Sequence, residues 1–138
     1  MKRILVADDV VDIRKLIRVS VGGAYEVVEA ENGVRALQLI REYRPSLVLL
    51  DIMMPGEVDG LQVLDVIRSD ARLKHIPVIL VTARGQATDC DLGMSRGADA
   101  YFIKPFSPGL LLTSIEALTQ TNRDERPVSV PAPLFAPI

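Results

Sequence analysis

The chain has 138 residues, of which 49% are hydrophobic and 25% charged, with a net charge of −2, the proportions of a soluble globular domain with one core. That balance offers no bulk basic surface for direct nucleic-acid binding, and no apolar run approaches the roughly 18 residues of a membrane span. The single cysteine, Cys90, excludes an internal disulfide framework, and the N-terminus "MKRILVADD" is too short in apolar residues to be a secretory signal, so the expectation is a cytoplasmic protein.

In chain order, "RILVAD" (3–8) is the first short apolar run, ending in Asp8 and Asp9. A helical segment follows, with Ile13, Leu16, Ile17 and Ser20–Val21 on one face. "YEVVEA" (25–30) reads as a second strand, and Ala36, Leu37 and Ile40 mark a second helix. "SLVLLD" (46–51) is a third strand that ends in Asp51, just before a Pro-Gly turn. Leu61, Leu64 and Ile67 mark the third helix. "PVILVTA" (77–83) is the fourth strand, and the segment at about 86–96, with Gly93 inside it, is the weakest helix. "AYFI" (100–103) is the fifth strand, and Leu111, Ile115 and Leu118 line the fifth helix. The runs 3–8, 46–51 and 77–83 are apolar without alternation, as parallel strands covered on both faces are. Five such units predict an α/β fold, a doubly wound five-stranded parallel sheet with five helices.

Sites in such sheets form beyond the carboxyl ends of the strands, at the topological switch point. Asp8 and Asp9 end the first strand, Asp51 the third and Thr82 the fourth, while Lys104 follows the fifth. Three carboxylates, a hydroxyl and an ammonium are therefore expected on one edge. An acid at the end of a buried strand needs partners or a purpose, because an unpaired buried charge costs several kcal/mol. Packed carboxylates repel one another and call for a cation, and hard oxygen ligands with room for water suit Mg2+. With Lys104 as a second counter-charge and Thr82 as a hydroxyl donor, the set fits phosphoryl transfer with Asp51 as nucleophile.

The segments "LVADD" (5–9), "DIMMPG" with "DGL" (51–56, 59–61), "VTA" (81–83) and "GADAYFIKPF" (97–106) together resemble a response-regulator receiver domain of two-component signalling. The resemblance covers about residues 2–120 and implies the (βα)5, flavodoxin-like fold of the chemotaxis regulators. It implies that Asp51 accepts a phosphoryl group from a histidine kinase or histidine phosphotransfer protein. Asp9 would ligate Mg2+ directly, Asp8 chiefly through water, and the Met53 backbone carbonyl would add a ligand. Thr82 and Lys104 would bind the phosphoryl oxygens, and Tyr101 would change rotamer as Thr82 moves. The Lys104–Pro105 bond would be cis. Such a module catalyses only its own phosphorylation and dephosphorylation.

Plainer readings compete at each position. Asp8 or Asp9 could cap the helix opening near Val10, Tyr101 could be a half-buried strand residue, and Thr82 an ordinary strand threonine. Met53 and Met54 read as loop-packing residues, His75 as a solvated loop residue and Cys90 as a small helix side chain. The chain also departs from the family pattern. Its turn "MPGEVDGL" is one residue longer than the commonest spacing. Met53 and Arg84 stand two residues after Asp51 and Thr82, flanking the path of the hydrolytic water, where a bulky apolar group hinders it. "GADAYF" lacks a second acid, and no Lys or Arg lies between Ser107 and Thr121, which puts in doubt the intersubunit ion pairs of the DNA-binding subfamily.

Residues 1–120 are thus expected to form the domain. Residues 121–138, with four prolines in the last twelve, are expected to be a disordered Pro-rich tail or linker. The alternative reading is a small Mg2+-dependent phosphatase or phosphotransferase with an aspartyl nucleophile. It lacks a general acid at Met53 and a segment long enough for a cap. Output is expected through an unknown partner, an absent output domain or self-association on the 85–118 face, where Leu110 lies off the buried stripe.

Overall fold

A computed structural model describes residues 1–83 and 87–120. Arg84, Gly85 and the tail expected at 121–138 lie outside the described residues. Among the described residues five strands and five α-helices alternate. They are β1 (Lys2–Ala7), α1 (Val11–Val21), β2 (Tyr25–Ala30), α2 (Gly33–Tyr43), β3 (Leu47–Asp51), α3 (Gly60–Ser69), β4 (Val78–Thr82), α4 (Ala87–Ser95), β5 (Ala100–Ile103) and α5 (Pro108–Gln120). The strands form one sheet in the order β2-β1-β3-β4-β5, and every pairing is parallel. The expected α/β fold is therefore present, with strand ends displaced by a residue at β1, β3 and β4.

Side chains along each strand alternate between two cores. Leu5, Ala7, Val48, Leu50 and Leu80 face a cluster with Ala36, Ile40, Leu64, Ile67 and Cys90, so α2, α3 and α4 cover that side. Ile4, Val6, Leu49, Val81 and Phe102 face a second cluster with Ile17, Val21, Leu111 and Ile115, so α1 and α5 cover the other. Burial on both faces explains why β1, β3 and β4 read as unbroken apolar runs.

One residue of the first helical stripe is corrected. Leu16 is 41% exposed, while Ile17 and Val21 are buried. At 100° per residue Leu16 lies a full step off the line through Ile13, Ile17 and Val21, and α1 buries only that narrow line. His75 is exposed and Cys90 is buried, as expected. Among the described residues no helix is long and apolar enough to cross a membrane.

The helix starts fix the loops that carry the site. Asn32 caps α2 by accepting from the Arg35 N–H at 2.8 Å. Asp59 and Gln62 form a reciprocal capping box at the start of α3. Gly60 opens α3 against the end of β3: a Cβ there would lie 2.1 Å from the Asp51 carbonyl oxygen and 2.7 Å from the Ile52 Cα. A Cβ at Gly33 would lie 2.2 Å from the Val58 carbonyl oxygen, so the long turn after Asp51 rests on the start of α2. A Cβ at Gly93 would instead lie 2.2 Å from the Cδ1 of Leu80, so α4 packs close to β4 there.

The opposite edge of the sheet is held by a buried ion pair that the sequence did not disclose. Arg68, at the end of α3, donates to Asp99 Oδ2 at 3.0 Å and to the carbonyls of Gly97, Lys74 and Ile76. Asp99 also accepts the Val78 N–H at 2.8 Å, so one guanidinium joins α3, β4 and the turn before β5.

The two glycines separate backbone contact from side-chain contact. Gly60→Ala forces a shift of backbone and is expected to destabilise by about 1–3 kcal/mol. Gly93→Ala meets the end of a flexible side chain and gains up to about 1 kcal/mol of helix propensity, so its net cost is smaller. Urea unfolding of both variants checks the order.

Candidate functional site

β1 and β3 are neighbours whose following loops lead to opposite faces of the sheet, which opens a crevice between their carboxyl ends. Asp8 and Asp9 enter it from β1 and Asp51 from β3. One carboxylate oxygen from each of the three lies within 4.8 Å of the others. Asp8 and Asp51 are 2% and 4% exposed, whereas Asp9 is open to solvent.

Lys104, following β5, reaches across the edge. Its Nζ lies 2.8 Å from Asp8 Oδ2 and 3.2 Å from Asp51 Oδ2. Its backbone N–H donates to the Thr82 carbonyl at 2.7 Å, which ties the ends of β4 and β5 together. The Lys104–Pro105 peptide is cis. Asp51 Oδ1 accepts the Met53 N–H at 3.0 Å, and Asp8 Oδ1 accepts the Val10 N–H at 2.9 Å. Asp8 thus orders the turn before α1 without capping the helix, whose N-cap, Val10, has no side-chain cap bond, and it faces Lys104 with its other oxygen.

Burial and the neighbouring Asp8 charge push the Asp51 carboxyl up from 3.8 to about 6, against the opposing pull of Lys104 and the Met53 N–H. Burial alone would depress Lys104, but its bond to Asp8 and the charges of Asp51 and Asp8 outweigh it, and the ammonium is held above its ordinary value. The edge is an ion triad: two buried carboxylates share one ammonium.

Thr82 is fully buried, and among the described residues its Oγ1 has no hydrogen-bond partner. A buried polar atom without a partner is uncommon enough to need a reason. Thr82 pairs with Ile103 in the β4–β5 register, and Tyr101 lies two residues before Ile103, so Thr82 and Tyr101 share the sheet face that α4 covers. Tyr101 is half-buried, and burial first, then Cys90 and Asp91, raise its phenol above the ordinary value. Met53 presents an exposed side chain, 59% accessible, while Met54 packs into the core.

Two residues of this edge escaped the sequence reading. Arg14 of α1 donates its Nη1 to the Asp8 carbonyl at 2.7 Å and its Nε to Glu29 Oε1 at 2.9 Å. Nothing local marks these two; Glu29 reads only as an acid in a half-exposed strand.

The chain matches the family described as response regulator receiver domain over residues 4–116. It is 37% identical over 125 residues to the DNA-binding response regulator MtrA of Mycobacterium tuberculosis, covering 90% of this chain and 53% of that protein. It is 38% identical over 141 residues to the phosphate regulon transcriptional regulatory protein PhoB of Pseudomonas aeruginosa, covering 99% and 61%. The chain thus spans about half the length of the curated relatives it matches. Among solved structures it is similar to the receiver domain of NtrX from Brucella abortus, with a TM-score of 0.80 at 33% identity over 86% of this chain and 98% of that one. A response regulator from Chloroflexus aurantiacus gives a TM-score of 0.81 at 29% identity, over 87% and 98%. The name of MtrA as a DNA-binding regulator conflicts with extending the expectation of no nucleic-acid contact to any longer protein of this kind.

The Asp51 shift has a sign that can be checked without any cation. Between pH 3.8 and about 6 the folded protein keeps a proton that the unfolded chain releases, so stability falls as pH rises through that window. An amide at position 51 would never ionise. In the presence of a chelator at pH 7.5, Asp51→Asn is expected to be the more stable protein, by at most about 3 kcal/mol, and the advantage is expected to vanish near pH 4. Thermal melts across pH 4–8 measure the difference.

Proposed function

This chain belongs to the response-regulator receiver domain family, and from that premise we infer that it accepts a phosphoryl group on Asp51 from a histidine kinase or histidine phosphotransfer protein. An oxygen of the Asp51 carboxylate attacks phosphorus, the P–N bond of the donor phosphohistidine breaks, and the departing imidazole takes up a proton. The product is an acyl phosphate on this chain, which is its own substrate.

The observation that carries this reading is the placement of Asp51 at the end of β3, within reach of Lys104 and beside a second buried acid. A carboxyl held near 6 is ionised at neutral pH yet more basic than an ordinary aspartate, which favours its use as a nucleophile. The cluster also fits Mg2+, because three hard oxygen donors lie within one ion's reach and exposed Asp9 leaves room for the waters that Mg2+ keeps. Asp8, Asp9, Asp51 and the Met53 carbonyl would hold it, and when bound it supplies positive charge against the carboxylates and the incoming phosphoryl oxygens. Lys104 supplies the second positive charge from the β5 side. The unpartnered Thr82 hydroxyl gains an acceptor once a phosphoryl group stands on Asp51.

Readout follows from that new bond. Movement of Thr82 frees space on the face it shares with Tyr101, and the weakly specified α4 packs on that face. Exposed Leu92 of α4 and Leu110 of α5 leave apolar side chains on the neighbouring surface for a partner or a second copy. In a longer regulator, DNA binding of the kind named for MtrA would fall to residues outside 1–120. A bulky apolar Met53, two residues after Asp51, slows hydrolysis of the acyl phosphate by hindering the water. We assign the protein to the cytoplasm on the same reading.

Incubation with acetyl phosphate or phosphoramidate and Mg2+ is expected to add one phosphoryl group, seen by intact mass, and Asp51→Asn is expected to add none. Equal labelling of the two proteins would sink the assignment. Millimolar Mg2+ alone is expected to raise the melting temperature, since only the folded chain gathers the three acids. For the readout, amide exchange with and without beryllofluoride is expected to change within 87–112. Changes confined to the Asp51 pocket would reject that face.

A further inference from the structure

Asp9 is the acid of the cluster with the least to hold it. It is exposed, and among the described residues its carboxylate has no hydrogen-bond or ion-pair partner. Its direction is therefore set by the backbone, and the peptide that joins it to Asp8 is planar, so whatever holds the Asp8 carbonyl also orients the start of Asp9. The group that holds it is Arg14, with Nη1 at 2.7 Å. Arg14 is anchored in turn. Its Nε donates to Glu29 Oε1 at 2.9 Å, and the Arg18 guanidinium pairs with the other oxygen of Glu29. Glu29 precedes Ala30, whose carbonyl accepts the Asp8 N–H at 3.0 Å. The last two residues of β2 thus grip Asp8 at both ends, Ala30 directly and Glu29 through Arg14.

We propose that Arg14 is a positioning residue for the cation site, aiming Asp9 by fixing the Asp8 carbonyl while Glu29 fixes Arg14. The proposal rests on the receiver reading above. A guanidinium suits this role because its planar fork serves both acceptors at once, whereas an ammonium on a flexible stem is a single point of attachment. Loss of groups that orient ligands commonly weakens metal binding about 10–100-fold.

Arg14→Lys separates orientation from mere docking of α1 on β2, because it keeps the positive charge beside Glu29 and gives up the fork. The expected result is a melting temperature close to the parent's in chelator, with Mg2+ affinity lowered about 10-fold, read from the NMR shifts of the Asp9 and Met53 amides. Phosphorylation by acetyl phosphate is expected to be slow at low Mg2+ and to recover at saturating Mg2+, since Asp51, Thr82 and Lys104 are untouched. Glu29→Gln, which keeps an acceptor without the charge, is expected to weaken Mg2+ binding by a smaller factor and serves if Arg14→Lys does not fold. Parent-like Mg2+ affinity in the variants that fold overturns the proposal, as does a rate in Arg14→Lys that stays low at saturating Mg2+. A parent protein that binds no Mg2+ overturns the receiver reading itself, a separate outcome.

Discussion

One ammonium stands between two buried carboxylates, and the arrangement of the carboxyl edge depends on it. Removing Lys104 would leave Asp8 and Asp51 facing each other without a counter-charge, and breaking a buried ion pair of this kind typically costs about 3–5 kcal/mol. The ammonium reaches its place because its backbone is bonded to Thr82, which sets where the chain leaves β5. The same contact joins the ends of β4 and β5 at that edge. Charge balance and the geometry of the sheet edge are therefore one constraint, and the loops after β1, β3 and β5 are shaped around it.

The two edges of the sheet treat buried charge in opposite ways. At the amino edge Arg68 and Asp99 form a saturated set, with each guanidinium nitrogen donating and Asp99 accepting from both Arg68 and the Val78 N–H. Such a set rigidifies, because any movement breaks several bonds together. At the carboxyl edge Asp8 and Asp51 share Lys104, the Asp51 carboxyl is displaced upward, and Thr82 Oγ1 has no partner among the described residues. On the proposed function, a cation and a phosphoryl group would bring positive charge and a hydrogen-bond acceptor to that edge. The rigid edge and the unsatisfied edge sit at opposite ends of the same buried strands, so a change at one end has a fixed frame to act against.

Much of this was legible because parallel strands covered on both faces leave a plain trace. Unbroken apolar runs located β1, β3 and β4 to within a residue, and the polar residue ending each run marked the site edge. Leu16 was misplaced because helical spacing defines a stripe but not its width, and α1 buries only a narrow one. Arg14, Glu29, Arg68 and Asp99 were not singled out because charged side chains on helices and at strand ends ordinarily face water. Their partners are carbonyl groups and residues 15 to 31 positions away, which no local pattern marks.

The sequence by itself determined the alternation of strands and helices, the parallel sheet and the residues at its carboxyl edge. Those follow from periodicity and from the cost of burying an unpaired acid. Only the tertiary structure decided which oxygen meets Lys104, that Asp51 is displaced to about 6, that Thr82 has no partner among the described residues and that Arg14 bears on the Asp8 carbonyl. Each of those depends on distances of a few ångströms between segments far apart in the chain. Packing of β2, β1 and β3 side by side sets those distances, and composition and local spacing do not encode them.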